Sequence, residues 1–202
     1  GEGLYRDGKG GTTEIQRRRP EQLRRQEWEP TNAAGRALTP VATPESKTPS
    51  VEGSVYAASK FDQERMCLRF GCAFGVPTTS LRFFNVFGAR QDPQGAYAAV
   101  IPRWVAAMLN GEPCVINGDG ETSRDFCYIA NAVQANLRAA LVDDGAALNQ
   151  VYNVAVGQRT TLKQLHAAVA AALQRIDGTL QVAPPRHAGF RAGDVRHSLA
   201  DI

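Results

Sequence analysis

From about residue 54 onward, the apolar positions of this 202-residue chain change their spacing at regular intervals. Tyr56 to Gly71 reads as a helix, carrying the good helix formers Ala57, Ala58, Gln63, Glu64, Arg65 and Met66, with Gly75-Val76-Pro77 to stop it. Thr78 to Val86 reads as a strand, rich in β-branched and aromatic residues, with Leu81, Phe83 and Phe84 as its apolar content. A helix follows over about 98–109, then a short strand at Val115-Ile116 and a turn at Asn117-Gly118-Asp119-Gly120. Another helix over about 131–141, a strand from Val151 to Val156 and a helix from Thr161 to Leu173 complete the series. Helices alternating with apolar strands predict an α/β layer fold whose strands are mostly parallel.

The first 50 residues have a different texture. They hold Arg17-Arg18-Arg19 and Arg24-Arg25, several Pro, Gly and Thr, and few apolar residues at any regular period. That predicts an irregular or mobile surface segment. A basic binding strip is the sharper alternative, but glutamates at 14, 21, 27 and 29 interleave with the arginines and dilute it.

At 43% hydrophobic and 21% charged residues the composition is that of a globular protein able to bury a core, and the length suits one or two compact units. Lys plus Arg number 23 against 20 Asp plus Glu, a net charge of +3, which implies no nucleic-acid partner. The four cysteines (Cys67, Cys72, Cys114 and Cys127) form no C-x-x-C pair, and three lie inside apolar runs. They read as buried, reduced thiols of a cytoplasmic protein. No stretch approaches 18 apolar residues and no charged-then-apolar leader opens the chain, so neither membrane nor export is indicated. A start at Gly1 and an end at Ile202 without a closing signal predict a piece of something longer.

The chemistry begins at Ser54-Val55-Tyr56-Ala57-Ala58-Ser59-Lys60. Four residues is about one helical turn, so Tyr56 and Lys60 project from the same face. A phenol with an ordinary pKa of about 10 is a poor base near neutrality, but a neighbouring cation favours its ionised form. Tyr56 is therefore a candidate to move protons, against the plainer reading of an ordinary solvated helix. In parallel α/β folds ligands lie beyond the carboxyl ends of the strands, and Asn85 follows the predicted strand Leu81-Arg82-Phe83-Phe84 directly. Its amide can donate to an anionic or hydroxylated ligand, or can simply shape the turn before Gly88. Arg124 lies just past the glycine-rich turn at 118–120, and Arg191 and Arg196 flank Gly193. An arginine fork suits phosphate oxygens; a surface pairing of Arg124 with Asp125 is the simpler alternative. Two separated arginine sites and one strand-end amide suit a diphosphate.

Together these residues resemble a known family. Tyr56-x-x-x-Lys60, Leu81-Arg82-Phe83-Phe84-Asn85-Val86-Phe87-Gly88, and Gly118-Asp119-Gly120 leading to Arg124-Asp125-Phe126 are similar to the extended short-chain dehydrogenase/reductases, the NAD-dependent epimerase/dehydratase family. The stretch from Gln91 to Tyr128, Val151-Tyr152-Asn153-Val154 and Gly193-Asp194-Val195-Arg196-His197-Ser198 resemble the branch that epimerises UDP-N-acetylglucosamine at C4. Gly1-Glu2-Gly3-Leu4-Tyr5 and residues 28–60 look more like the branch acting on dTDP-L-rhamnose.

The resemblance implies the C-terminal portion of a Rossmann-like parallel sheet plus a smaller α/β substrate-binding domain. Residues 51–88 would belong to the NAD-binding part, with strand 151–156 returning to it, and 89–202 to an incomplete nucleotide-sugar-binding part. It also implies Tyr56 as the proton-exchanging residue, Lys60 on the nicotinamide ribose, Phe84 against the nicotinamide, Asn85 on the sugar-nucleotide phosphate, and Arg124 and Arg191 on the diphosphate. NAD is the implied cofactor, a nucleotide sugar the substrate, and a homodimer the state of the intact parent. The implied reaction is a 4-epimerisation through a 4-keto sugar. Departures matter too. The family's G-x-x-G-x-x-G turn and its catalytic Ser/Thr are absent from these 202 residues. No cysteine lies between Gly1 and Lys60, so no metal is expected there. A dehydratase or decarboxylase of the same family, or a non-catalytic nucleotide-sugar-binding remnant, are the competing expectations.

Overall fold

The computed structural model describes residues 3–8, 10–15, 18, 20–51, 54–95, 99–191 and 193–202. Gly1, Glu2, Arg17 and Arg19, and position 98 where a helix is expected to begin, lie outside the described residues. The chain opens with strands β1 (Leu4–Arg6) and β2 (Thr12–Glu14), the short helix α1 (Pro20–Arg24) and strand β3 (Thr39–Val41). β1 lies between β2 and β3 and runs antiparallel to both, with Leu4 opposite Glu14 and Val41. Here the structure corrects the expectation of an irregular segment. Tyr5 is fully buried and Leu38 nearly so, and Thr43 pairs with Ala200 at the far end of the chain. Three-residue strands, held by partners 6 to 37 residues away, leave little periodic trace in the sequence.

Helix α2 (Val55–Phe74) is the expected one, extended by three residues at its C-terminal end. The Ser54 side chain caps it by accepting from the Ala57 N–H at 3.1 Å. Gly75, at φ 66°, closes it in the left-handed conformation that a glycine adopts without strain. The strand predicted over 78–86 is two strands, β4 (Ser80–Phe83) and β5 (Asn85–Phe87), with Phe84 between them. Then come α3 (Val100–Leu109), β6 (Val115–Asn117), β7 (Ser123–Arg124), β8 (Phe126–Tyr128), α4 (Ile129–Leu141), β9 (Val151–Val154), β10 (Thr160–Thr161), α5 (Leu162–Ile176) and β11 (Arg186–Ala188). Thr161 and Gln164 form a reciprocal capping box at the start of α5.

Among the described residues three strand pairs are parallel: β4 with β9, β5 with β8, and β6 with β11. The main apolar cluster gathers Trp104 and Met108 of α3, Cys114 and Ile116 around β6, and Leu165 of α5, with Phe126, Leu162 and Val169 against it. This is the α/β layering that the alternating pattern predicts. Cys114 and Cys127 are buried, and burial pushes both thiols up. Cys67 and Cys72 are exposed on α2, contrary to expectation, beside the exposed Met66, Phe70 and Phe74. Met66, Phe70 and Phe74 share one face of the helix, the two phenylalanine rings 4.4 Å apart between centroids. Among the described residues no helix is long and apolar enough to cross a membrane.

Candidate functional site

Tyr56 lies in the first turn of α2, and Lys60 one turn later. The helical period brings the Lys60 ammonium to 5.8 Å from the centroid of the Tyr56 ring, and Lys60 Nζ donates to Gln63 Oε1 at 3.3 Å. Tyr56 is 59% exposed. The helix is set against β4 by a fork: Arg82 Nε and Nη2 donate to the two Glu64 oxygens at 2.8 and 2.7 Å. Arg82 Nη1 also donates to the Glu45 carbonyl at 2.8 Å, which ties both elements to the loop before α2.

Three residues after Arg82 the chain changes partners. The Phe84 N–H donates to Val154 O of β9 at 3.1 Å, whereas the next N–H, that of Asn85, donates to Asp125 O at 3.1 Å. Phe84 thus ends one parallel pair and Asn85 begins another. Asn85 sits beside the residue that follows Arg124, with its side chain exposed and unpaired among the described residues.

Arg124 is held from both sides of its own loop. Its Nη1 donates to Ser123 O at 2.9 Å, and its Nη2 lies 3.7 Å from Asp194 Oδ1. Asp194 belongs to the turn that carries Arg191, whose carbonyl accepts from the Asp194 N–H at 3.1 Å. The Arg191 guanidinium is exposed and unpaired among the described residues. Asn85, Arg124 and the Arg191 turn are therefore brought together by hydrogen bonds and an ion pair. Tyr56, Lys60 and Phe84 connect to them through β4.

Several residues of this neighbourhood are not found by reading the sequence. Asp125 is not a surface partner for Arg124: it is fully buried, and its carboxylate accepts from Val156 N and Gly157 N, each at 3.0 Å, and from Ala200 N at 3.4 Å. Arg196 is 1% exposed and inserts between two carboxylates. It donates to Asp119 Oδ1 and Oδ2 at 2.6 and 2.8 Å, and to Glu29 Oε1 at 2.9 and 2.5 Å. His197 Nε2 donates to Glu29 Oε2 at 3.2 Å, so in the neutral ring Nδ1 accepts from the Ser123 hydroxyl at 2.7 Å. The hydrogen bond from His197, opposed by partial burial and aided by Arg196, brings the Glu29 carboxyl down from its ordinary 4.5 to about 2. For Asp119 burial acts upward, but the bonds from Arg196 and the backbone outweigh it and hold the carboxyl low. The visible signal was the set of glutamates among the N-terminal arginines; what was missing was that one of them reaches across the fold.

The glycine-rich turn allows this close approach. Gly118 has φ +74°, and a side-chain carbon there would meet Phe190 Cδ2 at 3.1 Å. Phe190 immediately precedes Arg191, so the turn and the arginine loop are in contact.

Known proteins share this α/β fold. The family model for the "NAD dependent epimerase/dehydratase family" matches residues 32–155. Among solved structures, the UDP-N-acetylglucosamine 4-epimerase of Methanobrevibacter ruminantium M1, in complex with UDP-N-acetylmuramic acid, is 41% identical with a TM-score of 0.66, covering 74% of this chain and 45% of that one. The UDP-glucose 4-epimerase of Thermotoga maritima, with UDP-glucose, is 37% identical with a TM-score of 0.68, covering 80% of this chain and 48% of that one. The dTDP-L-rhamnose 4-epimerase of Burkholderia thailandensis is 26% identical over all of this chain and 52% of its own length. The chain spans about half the length of the relatives it matches, or less.

Proposed function

The chain belongs to the NAD dependent epimerase/dehydratase family, and we propose that it supplies the catalytic tyrosine and the nucleotide-sugar site of a 4-epimerase acting on UDP-glucose or UDP-N-acetylglucosamine. The observation that carries this reading is the change of partner at Phe84-Asn85. One strand end serves both the helix bearing Tyr56 and Lys60 and the loops bearing Arg124 and Arg191. The same point supports a division into a part built on α2, β4 and β9 and a nucleotide-sugar part built on residues 89 onward, since β4 pairs with β9 and β5 with β8.

In this reading Asn85, Arg124 and Arg191 hold the diphosphate, the unpaired Asn85 amide and Arg191 fork giving donors that need no internal bond broken first. Holding the nucleotide lets the sugar turn over while the anchor stays fixed. Tyr56 takes the proton of the C4 hydroxyl as the sugar becomes a 4-keto compound, and returns it once the sugar has turned. Lys60 puts a positive charge one helical turn away, 5.8 Å from the centroid of the Tyr56 ring.

NAD, when bound, supplies the acceptor and donor of the hydride. The residues present fit its nicotinamide-ribose end: an exposed phenol and an ammonium one turn apart, on a helix fixed to β4 by the Glu64–Arg82 pair. The sequence holds no G-x-x-G-x-x-G turn for its pyrophosphate, so no residue of this chain is assigned to that part.

The test is to incubate the protein with NAD and either UDP-glucose or UDP-N-acetylglucosamine and to separate the sugar nucleotides by anion-exchange chromatography. Appearance of the galacto epimer supports the reading. Failure to bind either sugar nucleotide would overturn it.

A further inference from the structure

The two residues Trp28 and Glu29 touch the arginine loop on both sides of Arg191. On the near side the Trp28 ring stacks on Phe190, centroids 5.3 Å apart and planes inclined by 25°. Arg18 completes this contact: its guanidinium carbon lies 4.5 Å from the Phe190 ring centroid, and its Nη1 and Nη2 donate to the carbonyls of Trp28 at 2.9 Å and Asp194 at 2.5 Å. On the far side the Glu29 carboxylate takes Arg196 with one oxygen and His197 with the other. Between the two clamps lies the turn of Arg191 and Asp194, with Gly193 at φ +81°.

We propose that Trp28 and Glu29 are positioning residues for the nucleoside diphosphate end of the substrate. Neither need touch the ligand. Their effect runs through the loop: Phe190 and Arg196 are fixed, so the exposed Arg191 fork starts from one place, and Asp194 is held where it meets Arg124 at 3.7 Å. An arginine that is already oriented loses less conformational entropy on binding than one on a free loop, and that difference appears directly in affinity. Arg196 itself is an unsuitable anchor, because its donors are spent on Glu29 and Asp119. The inference rests on the diphosphate role given above to Arg124 and Arg191.

Titration calorimetry with UDP alone, on the 202-residue protein and its Trp28→Ala, Trp28→Phe and Glu29→Gln variants, tests it well below each variant's melting temperature. Trp28→Ala and Glu29→Gln are each expected to raise the dissociation constant about tenfold. Trp28→Phe, which keeps a flat ring for Phe190, is expected to stay within about twofold of the parent. A purely structural role would lower the melting temperature and leave the dissociation constant of the folded protein unchanged. If the parent binds UDP and Trp28→Ala and Glu29→Gln bind it equally well, the positioning role is overturned and the diphosphate site stands. If the parent binds neither UDP nor UDP-N-acetylglucosamine, the diphosphate site falls, and this inference with it.

Discussion

Arg82 of β4 and Glu64 of α2 form a two-bond fork, Nε to Oε2 at 2.8 Å and Nη2 to Oε1 at 2.7 Å, with side chains only 21% and 11% exposed. Glu64 is one turn beyond Lys60 and two beyond Tyr56, so this pair sets the candidate proton-transfer helix against the strand that ends at Phe84-Asn85. Removing one partner strands a largely buried charge. Glu64→Ala is expected to cost about 3 kcal/mol, or roughly 6–12 °C in melting temperature for a chain of this length, measured by circular dichroism. A loss under about 1 kcal/mol would show that the fork does not fix the helix.

Asp125 supports the same strand end from behind. Its buried carboxylate accepts three backbone N–H groups, and the neutral amide of Asn turns a donor toward at least one of them. Asp125→Asn is expected to destabilise the protein by about 2–4 kcal/mol in urea unfolding, with an unchanged slope.

Glu29 gives the fold an acid-sensitive contact. Its carboxyl titrates at about 2 when folded and at its ordinary 4.5 when unfolded, so the unfolded chain binds the proton more readily between those values. Its contribution is complete above about 4.5 and is lost as pH falls toward 2. Glu29→Gln is expected to remove this share of the acid limb when urea midpoints are followed from pH 7 to pH 3.

His166 acts at higher pH. It packs edge-on against Trp104 with ring centroids 5.7 Å apart, and its Nε2 has no hydrogen-bond partner among the described residues. Burial lowers its pKa from the ordinary 6.5. The folded state therefore holds the neutral ring, and stability present above pH 6.5 declines as the pH falls below it. His166→Leu is expected to flatten the stability profile between pH 5 and 7 and to gain about 1 kcal/mol at pH 5, read from the same urea midpoints.

Tyr56→Phe tests the proposed chemistry. The hydroxyl is lost and the ring kept, so epimerisation is expected to drop by about 10²–10⁴-fold while the dissociation constant for UDP-N-acetylglucosamine changes less than about threefold. Coupled product assays and calorimetry measure the two quantities; unchanged turnover would remove Tyr56 from the mechanism.

How much of this was legible in the sequence follows from the range of the contacts involved. Helix α2 is encoded locally, by helix formers between a Ser54 cap and a Gly75 stop, and with the helix comes the juxtaposition of Tyr56 and Lys60, which one turn of backbone geometry guarantees. The turn at Gly118 and Gly120 and the alternation of helices with strands are equally local, and they were enough for the α/β class. What only the tertiary structure decided is how distant pieces meet. A run from Thr78 to Val86 looks like one strand, yet the Phe84 and Asn85 amides find different partners in β9 and next to β8. Asp125 reads as a neighbour for Arg124 but turns inward to Val156, Gly157 and Ala200. Glu29 reads as one acid among many arginines, and its partner Arg196 lies 167 residues away. Side-chain periodicity reports which face of an element is buried, whereas a charged pair closed over such a loop leaves no period behind. It becomes visible only when burial makes an unpaired arginine too costly to leave alone.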